Sequence, residues 1–158
     1  MKLSVTIGVA ALACLGLAAR AQAYAFSPIG GAPGGAFVAT GAVNVSKGAI
    51  KLRCTARFAG TADKSGGAHI TGVSFKGGLC STVSPTGLPW AAMATGPNAA
   101  VIAKVAIKAS LAGGCGPGDV PISIGPSGVV TLGHVALAPD CTITGALDTV
   151  PPVTIVGP

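Results

Sequence analysis

Four of the chain's five cysteines are the residues with the clearest chemical potential, since the fifth, Cys14, lies in the amino-terminal segment that we expect to be removed. Cys54, Cys80, Cys115 and Cys141 follow one another at gaps of 26, 35 and 26 residues. A zinc site would favour Cys-x2-Cys pairs or nearby histidines, which these gaps do not provide. An even number of cysteines in an exported chain is typical of disulfides. We therefore predict two disulfides and no metal site.

The pairing of these cysteines has three alternatives. Cys54 and Cys141 lie in alternating, strand-like segments, whereas Cys80 and Cys115 lie in glycine-rich loops. Cysteines in similar surroundings pair more easily. This favours Cys54–Cys141 and Cys80–Cys115.

Acid–base side chains are scarce, since the chain has four carboxylates and two histidines. Asp63 and Asp140 lie in turn-like contexts, where Asp commonly bonds its own backbone, and His69 and His134 lie in strand-like segments. No motif such as Gly-x-Ser-x-Gly frames a nucleophile beside a base. The sequence predicts a protein that is not an enzyme, without catalytic residues or cofactors.

The amino terminus has the order of a secretory signal. Lys2 precedes an apolar run, and Ala21-Gln22-Ala23 is a small-x-small cleavage site. A membrane-spanning helix needs roughly 20 apolar residues, and Arg20 ends this run early. We predict a signal peptide over residues 1–23, no transmembrane span after its removal, and a secreted or cell-surface protein. The same signal also serves the periplasm.

The remaining chain divides into a leader and one domain. Residues 24–35 are rich in Gly and Pro and predict a flexible leader with Tyr24, Phe26 and Ile29 as exposed apolar side chains. Residues 36–158 form the predicted domain. Strand formers separated by Gly and Pro dominate it, and long helix-forming side chains are rare.

Residues 50–58 show the clearest strand, because apolar and polar side chains alternate strictly. Such alternation is typical of an antiparallel sheet with one buried face. Similar segments at regular spacing bring the total to about eight short strands. We predict an all-β, disulfide-stapled fold, a single antiparallel β-sandwich or a small barrel. The predicted strands cover residues 37–45, 50–58, 69–76, 99–111, 119–124, 129–137, 141–147 and 153–156, with residues 77–97 as a long irregular piece.

Positive charge is concentrated in one part of the chain. Residues 24–110 carry eight Lys and Arg and one Asp, whereas residues 111–158 carry three Asp and no Lys or Arg. One interpretation is a solvated sheet face on which lysines prevent edge pairing. The other is a cationic face for an anionic polymer such as lipopolysaccharide, acidic polysaccharide or DNA, without sequence-specific nucleic-acid recognition. The candidate face consists of Lys51, Arg53, Arg57, Lys104 and Lys108.

The chain's one tryptophan lies in the irregular piece. Trp90 either fills the core beside Cys80 or forms a contact loop with Leu88 and Met93, since binding residues concentrate on loops. Both interpretations stay open at this point.

Four segments carry a family resemblance. Residues 78–80 (GLC), 85–90 (PTGLPW), 114–118 (GCGPG) and 141–145 (CTITG) make the chain similar to the PraB-like family. Proteins of that family are described as activators of alkane oxidation, and some as biofilm-associated adhesins. The resemblance implies secretion, association with a cell surface or matrix, and a role in adhesion or in handling hydrophobic substrates. It implies no catalytic residue.

Two functional hypotheses follow. The first is a non-enzymatic adhesion or biofilm-matrix protein that contacts a cell-surface or matrix polymer and multimerises when residues 24–35 add a strand to the next copy. The alternative is a soluble binding module for hydrophobic small molecules that supports alkane use.

Overall fold

Buried and exposed side chains alternate along the central part of β3 (Ile50–Ala62). Cys54 and Ala56 are buried, while Arg53, Thr55 and Arg57 between them are exposed. Successive side chains of a strand point to opposite faces, so this pattern places one face of the sheet in a core and the other in water. The fold is all-β, as predicted from the sequence.

The computed structural model describes residues 24–28 and 34–157. The predicted signal peptide lies outside these residues. No helix in the described part of the chain is long and apolar enough to span a membrane. The other strands are β1 (Ala25–Pro28), β2 (Ala36–Lys47), β4 (Ala68–Lys76), β5 (Val83–Thr86), β6 (Trp90–Gly96), β7 (Ala99–Ala109), β8 (Gly113–Ile124), β9 (Val129–Leu137), β10 (Cys141–Val150) and β11 (Val153–Val156), with a 3₁₀ helix at Gly78–Thr82.

Eight antiparallel strands close into a barrel, the second of the two predicted architectures. The order is β7-β6-β4-β3-β2-β10-β9-β8, and β8 pairs back onto β7. β5 is an additional strand that pairs with β7 beyond the end of β6. β5 and β6 therefore act as one interrupted strand along β7.

β2 and β10 are neighbours in the barrel, and two glycines allow their backbones to approach. A Cβ on Gly41 would overlap the carbonyl oxygen of Ala146, and one on Gly145 would lie 2.5 Å from the carbonyl oxygen of Ala42. Close backbone contact between these two strands therefore requires glycine at both positions.

Two seams interrupt the backbone pairing. β4 pairs with β6 only from Ala68 to Ile70, and β8 pairs with β9 only at Ser123 and Ile124. All of these pairs lie toward the same end of the barrel. Toward the other end, the strands on either side of each seam lack a continuous hydrogen-bond ladder.

A short ribbon of β1 and β11 covers the end at which the seams are paired, which we call the capped end. Phe26 of β1 is 6% exposed, and its amide donates to the carbonyl of Gly66 in the turn between β3 and β4. The predicted flexible leader is therefore wrong for residues 25–28, which form a strand with a buried Phe26. Ile29 lies outside the described residues. The local Gly and Pro content gave no sign of the strand, because its partner β11 lies at the other end of the chain.

The opposite end holds both disulfides, and we call it the stapled end. Cys54 bonds Cys80 and Cys115 bonds Cys141, with Cα–Cα distances of 5.6 and 6.1 Å. The four cysteines are disulfide-bonded as predicted, but the predicted pairing is wrong. Barrel geometry sets the partners. The 3₁₀ helix after β4 returns Cys80 to β3. The amide of Gly116 donates to the carbonyl of Ala138 in the loop before β10, which places Cys115 beside Cys141.

Candidate functional site

The barrel interior contains an apolar cavity of about 70 Å³. An eight-stranded barrel is just wide enough for side chains to fill it or for one small ligand. Its walls combine aromatic, branched and small side chains from strands all round the barrel and from the cap. They are Phe26, Phe37, Ala39, Val43, Phe58, Ala68, Ile70, Phe75, Trp90, Ala92, Ile102, Val105, Ile107, Val120, Ile122, Ile124, Val130, Leu132, Ile143, Leu147, Thr149 and Val153.

Thr149 carries the one hydroxyl among the residues of that wall, and this hydroxyl is already hydrogen-bonded. The Oγ1 atom donates to the carbonyl of Gly128 at 2.6 Å and accepts from the amide of Val153 at 2.8 Å. A water molecule in the cavity would therefore lack the two to four polar partners that hold buried water. The cavity is chemically suited to an apolar occupant.

Trp90 forms part of the cavity wall and is 1% exposed. Its indole N–H donates to the carbonyl of Thr86 at 2.9 Å, across the break between β5 and β6. The interpretation of Trp90 as a core residue agrees with the structure, and an exposed contact at Trp90 does not. Leu88 is half-buried against the core, and Met93 is exposed on the outer face of β6. The three residues therefore do not form one contact surface.

Several acid–base side chains in the described residues are hydrogen-bonded or paired with one another. His69 Nε2 lies 2.9 Å from Asp63 Oδ2, and Lys47 Nζ lies 2.7 Å from Asp140 Oδ1. Asp119 accepts a hydrogen bond from the backbone amide of Lys104. Over the described ranges, no Ser, Thr or Cys is hydrogen-bonded to a histidine, and no group of His, Cys or Asp is arranged to hold a metal.

The predicted basic residues are all exposed but are not one cluster. Lys51, Arg53 and Arg57 lie on β3, whereas Lys104 and Lys108 lie on β7, with β4 and the β5–β6 strand between them. Arg57 and Lys104 lie toward the middle of the barrel. Lys51, Arg53 and Lys108 lie near the stapled end, where β4 adds the exposed Lys76.

Exposed apolar side chains accompany these charges, and sequence reasoning missed them. Ile50, Leu79 and Leu111 are 41%, 52% and 72% exposed in three different turns or turn edges of the stapled end. A detectable signal was present, because Leu79 and Leu111 are large apolar residues in segments that are otherwise rich in Gly and Ser.

Comparison with known proteins supports the resemblance found in the sequence. No curated protein and no solved structure gives a significant match. The model of one family, alkane oxidation protein activator PraA/PraB-like, matches residues 1–157. That match covers nearly the whole chain and includes every strand of the barrel. The chain therefore belongs to the alkane oxidation protein activator PraA/PraB-like family.

Proposed function

We propose that this protein is a non-enzymatic binding module that holds an apolar molecule inside its barrel and thereby supports alkane oxidation. The observation that carries the proposal is the apolar cavity, in whose wall the Thr149 hydroxyl and the Trp90 indole N–H are already hydrogen-bonded. The family's description as an activator of alkane oxidation agrees with such an auxiliary role.

The size of the cavity limits what it accepts. Its volume of about 70 Å³ is roughly half of the ~150 Å³ in which an engineered apolar cavity binds benzene or xenon. The cavity therefore fits a xenon atom or a short alkyl segment. A longer chain requires side chains to move, and the two seams are the places where no continuous backbone ladder resists that movement.

The chemistry of the wall favours a hydrocarbon over its alcohol. A hydroxyl enclosed here would lose its hydrogen bonds to water and find no free partner, at a cost of roughly 1–3 kcal/mol. A short alkane has no hydrogen bonds to lose, and its transfer from water into the cavity is favourable in free energy. A module of this kind would hold the substrate of alkane oxidation and release the product.

Xenon, propane and 1-propanol are suitable probes for this site. We expect xenon and propane to raise the melting temperature increasingly as ligand concentration rises above the dissociation constant, because a ligand that binds only the folded state stabilises it. Propanol at the same free concentration should have a smaller effect. Trp90 emission should change in intensity without a large wavelength shift, since the indole is already shielded from water.

Variants of β6 provide a matched comparison. Ala92 is buried and lines the cavity, whereas the adjacent Ala91 is exposed. Ala92→Leu should fill the cavity and abolish the response to xenon and propane, and Ala91→Leu should leave it intact. Ala39→Val is a smaller filling change in case Ala92→Leu overpacks the core. Equal responses of all three variants, or no response of the unmodified protein, would refute an interior site.

A second candidate function is adhesion to an anionic cell-surface or matrix polymer. Exposed Lys and Arg side chains favour it, because ion pairs in the described residues involve only Lys47 and His69. Retention on an acidic polysaccharide should fall steeply with salt. Multimers formed through residues 24–35 have less support, since residues 25–28 already pair with β11 of the same chain. Light scattering before and after deletion of residues 24–35 tests that mode of assembly.

A further inference from the structure

We propose that the stapled end of the barrel docks onto a lipid surface that carries anionic headgroups. The docking surface, here named the basic pole, is defined by three exposed apolar side chains, Ile50, Leu79 and Leu111, and four exposed basic ones, Lys51, Arg53, Lys76 and Lys108. It is separate from the interior cavity and does not depend on what that cavity binds.

The apolar part of the basic pole lies on turns that are distant in sequence but neighbours in the fold. Ile50 lines a small depression of about 20 Å³ together with Ala112, which follows Leu111 in the turn between β7 and β8. The 3₁₀ helix that carries Leu79 adjoins the same turn, because the amide of Ser110 donates to the carbonyl of Thr82. The turns that carry Ile50, Leu79 and Leu111 therefore meet at one end of the barrel, and we call them the apolar tip.

The basic side chains surround this tip. Lys51 and Arg53 project from the start of β3, and Lys76 and Lys108 lie at the ends of β4 and β7. Asp140 is the acidic residue at this end, and it is bonded to Lys47. Within the described part of the chain, none of the four exposed basic side chains has an acidic partner.

The apolar tip and the basic side chains together indicate the kind of partner. An apolar tip alone would suit any apolar surface, and basic charge alone would suit any anionic polymer. A surface helix that binds a lipid interface inserts apolar side chains while its basic side chains contact anionic headgroups. The basic pole presents the same combination on turns, and charge complementarity therefore points to an anionic lipid layer.

The turns of the basic pole are held in place before docking. Leu79 directly precedes Cys80, whose disulfide anchors the 3₁₀ helix to β3. The turn that contains Leu111 leads into β8, which the Cys115–Cys141 disulfide ties to β10. Docking onto a surface therefore orders little additional chain, which lowers its entropic cost.

Sedimentation with lipid vesicles tests the proposal on the purified, disulfide-intact protein that begins at residue 24. Vesicles of phosphatidylcholine with phosphatidylglycerol should bind the protein, and vesicles of phosphatidylcholine alone should bind it at least tenfold more weakly. Raising the salt to 1 M should weaken the binding by shortening the Debye length to ~3 Å.

Matched variants separate the two contributions. Leu111→Ser should weaken vesicle binding at least tenfold, because burial of an inserted leucine contributes more than one factor of ten. Met93→Ser is the control, since Met93 is 66% exposed on another face. The pair Lys51→Gln and Lys108→Gln should weaken binding by roughly 25-fold, at about fivefold for each charge. Lys64→Gln with Lys104→Gln removes the same charge elsewhere and should change it much less.

Three results would overturn the proposal. The first is binding that depends on the charges but not on Leu111, which would assign the basic pole to an anionic polymer. The second is self-association that Leu79→Ser and Leu111→Ser abolish without vesicles, which would assign it to a second copy of the chain. The third is equal loss of vesicle binding in the control pairs. Ala92→Leu should dock normally, so failure of the cavity proposal would leave this test unaffected.

Discussion

The two ends of the barrel are stabilised by different means. At the capped end, backbone pairing continues across both seams, and the β1–β11 ribbon buries Phe26 over the interior. At the stapled end, pairing across the seams stops and each of the two disulfides lies beside one of them. Burial and hydrogen bonds close one end, whereas covalent bonds hold the other.

This difference bears on the exposed apolar side chains of the stapled end. The capped end depends on buried apolar residues such as Phe26 for its closure, although Val150 and Val156 are exposed there. The stapled end is held covalently, so Leu79 and Leu111 can face solvent without being needed for closure. Covalent closure thereby leaves this end available for contact with a partner.

Removal of both disulfides should cause the largest loss of stability, and it should act at the stapled end. Each disulfide closes a loop of 26 residues, which corresponds to about 3.5 kcal/mol in the chain-entropy description. Losing both therefore approaches the whole stability of a typical domain. We expect the variant with all four cysteines changed to Ser to be largely unfolded at 37 °C by circular dichroism. A fully folded variant would mean that the stapled end does not need its disulfides.

Phe26→Ala should have the next largest effect and should act at the capped end. The side chain is 6% exposed, and Phe-to-Ala changes in cores cost roughly 3–5 kcal/mol. We expect about 3 kcal/mol in urea denaturation, with faster amide exchange in β11 and unchanged exchange near Cys115. Met93→Ala should change stability by less than ~0.5 kcal/mol. Equal loss of amide-exchange protection at both ends would contradict the conclusion that the two ends are stabilised separately.

Thr149→Val should cost about 2 kcal/mol at the capped end. The change removes the acceptor of the buried Val153 amide and the donor to Gly128, and an unsatisfied buried group costs roughly 1–3 kcal/mol. Thr131→Val, at an exposed position of β9, is the control. A stability equal to that of the unmodified protein would show that the cap does not depend on this hydroxyl.

Asp140→Asn should have the smallest effect, below about 1 kcal/mol, at the stapled end. The Lys47–Asp140 pair is partly exposed, with Asp140 about half accessible, and such pairs contribute little. The difference in unfolding free energy between Asp140→Asn and the unmodified protein should become still smaller in 1 M NaCl. A cost of several kcal/mol would mean that the ion pair, as well as the disulfides, holds this end.

Local patterns predicted most of the strands but missed three. β3 and β7 alternate clearly, so their existence followed from residue types alone. β5 and β6 were missed because Gly87 and Pro89 interrupt them and because Ala92 and Gly96 supply much of the inward face of β6. β1 was missed because its four residues acquire strand structure only by pairing with β11.

The candidate site could not be predicted from the sequence. The cavity and the basic pole both combine residues from several strands, and local patterns do not show which strands become neighbours.

The sequence by itself determined the all-β class, the disulfide-bonded state of four cysteines, the family and the excess of basic side chains. These properties depend on residue type and local spacing. Only the tertiary structure decided the closure into a barrel, the disulfide partners, the burial of Trp90 and the grouping of Ile50, Leu79 and Leu111 at one end. The physical reason is that strand register and barrel closure join residues far apart in the chain, and local periodicity carries no information about which strands become neighbours.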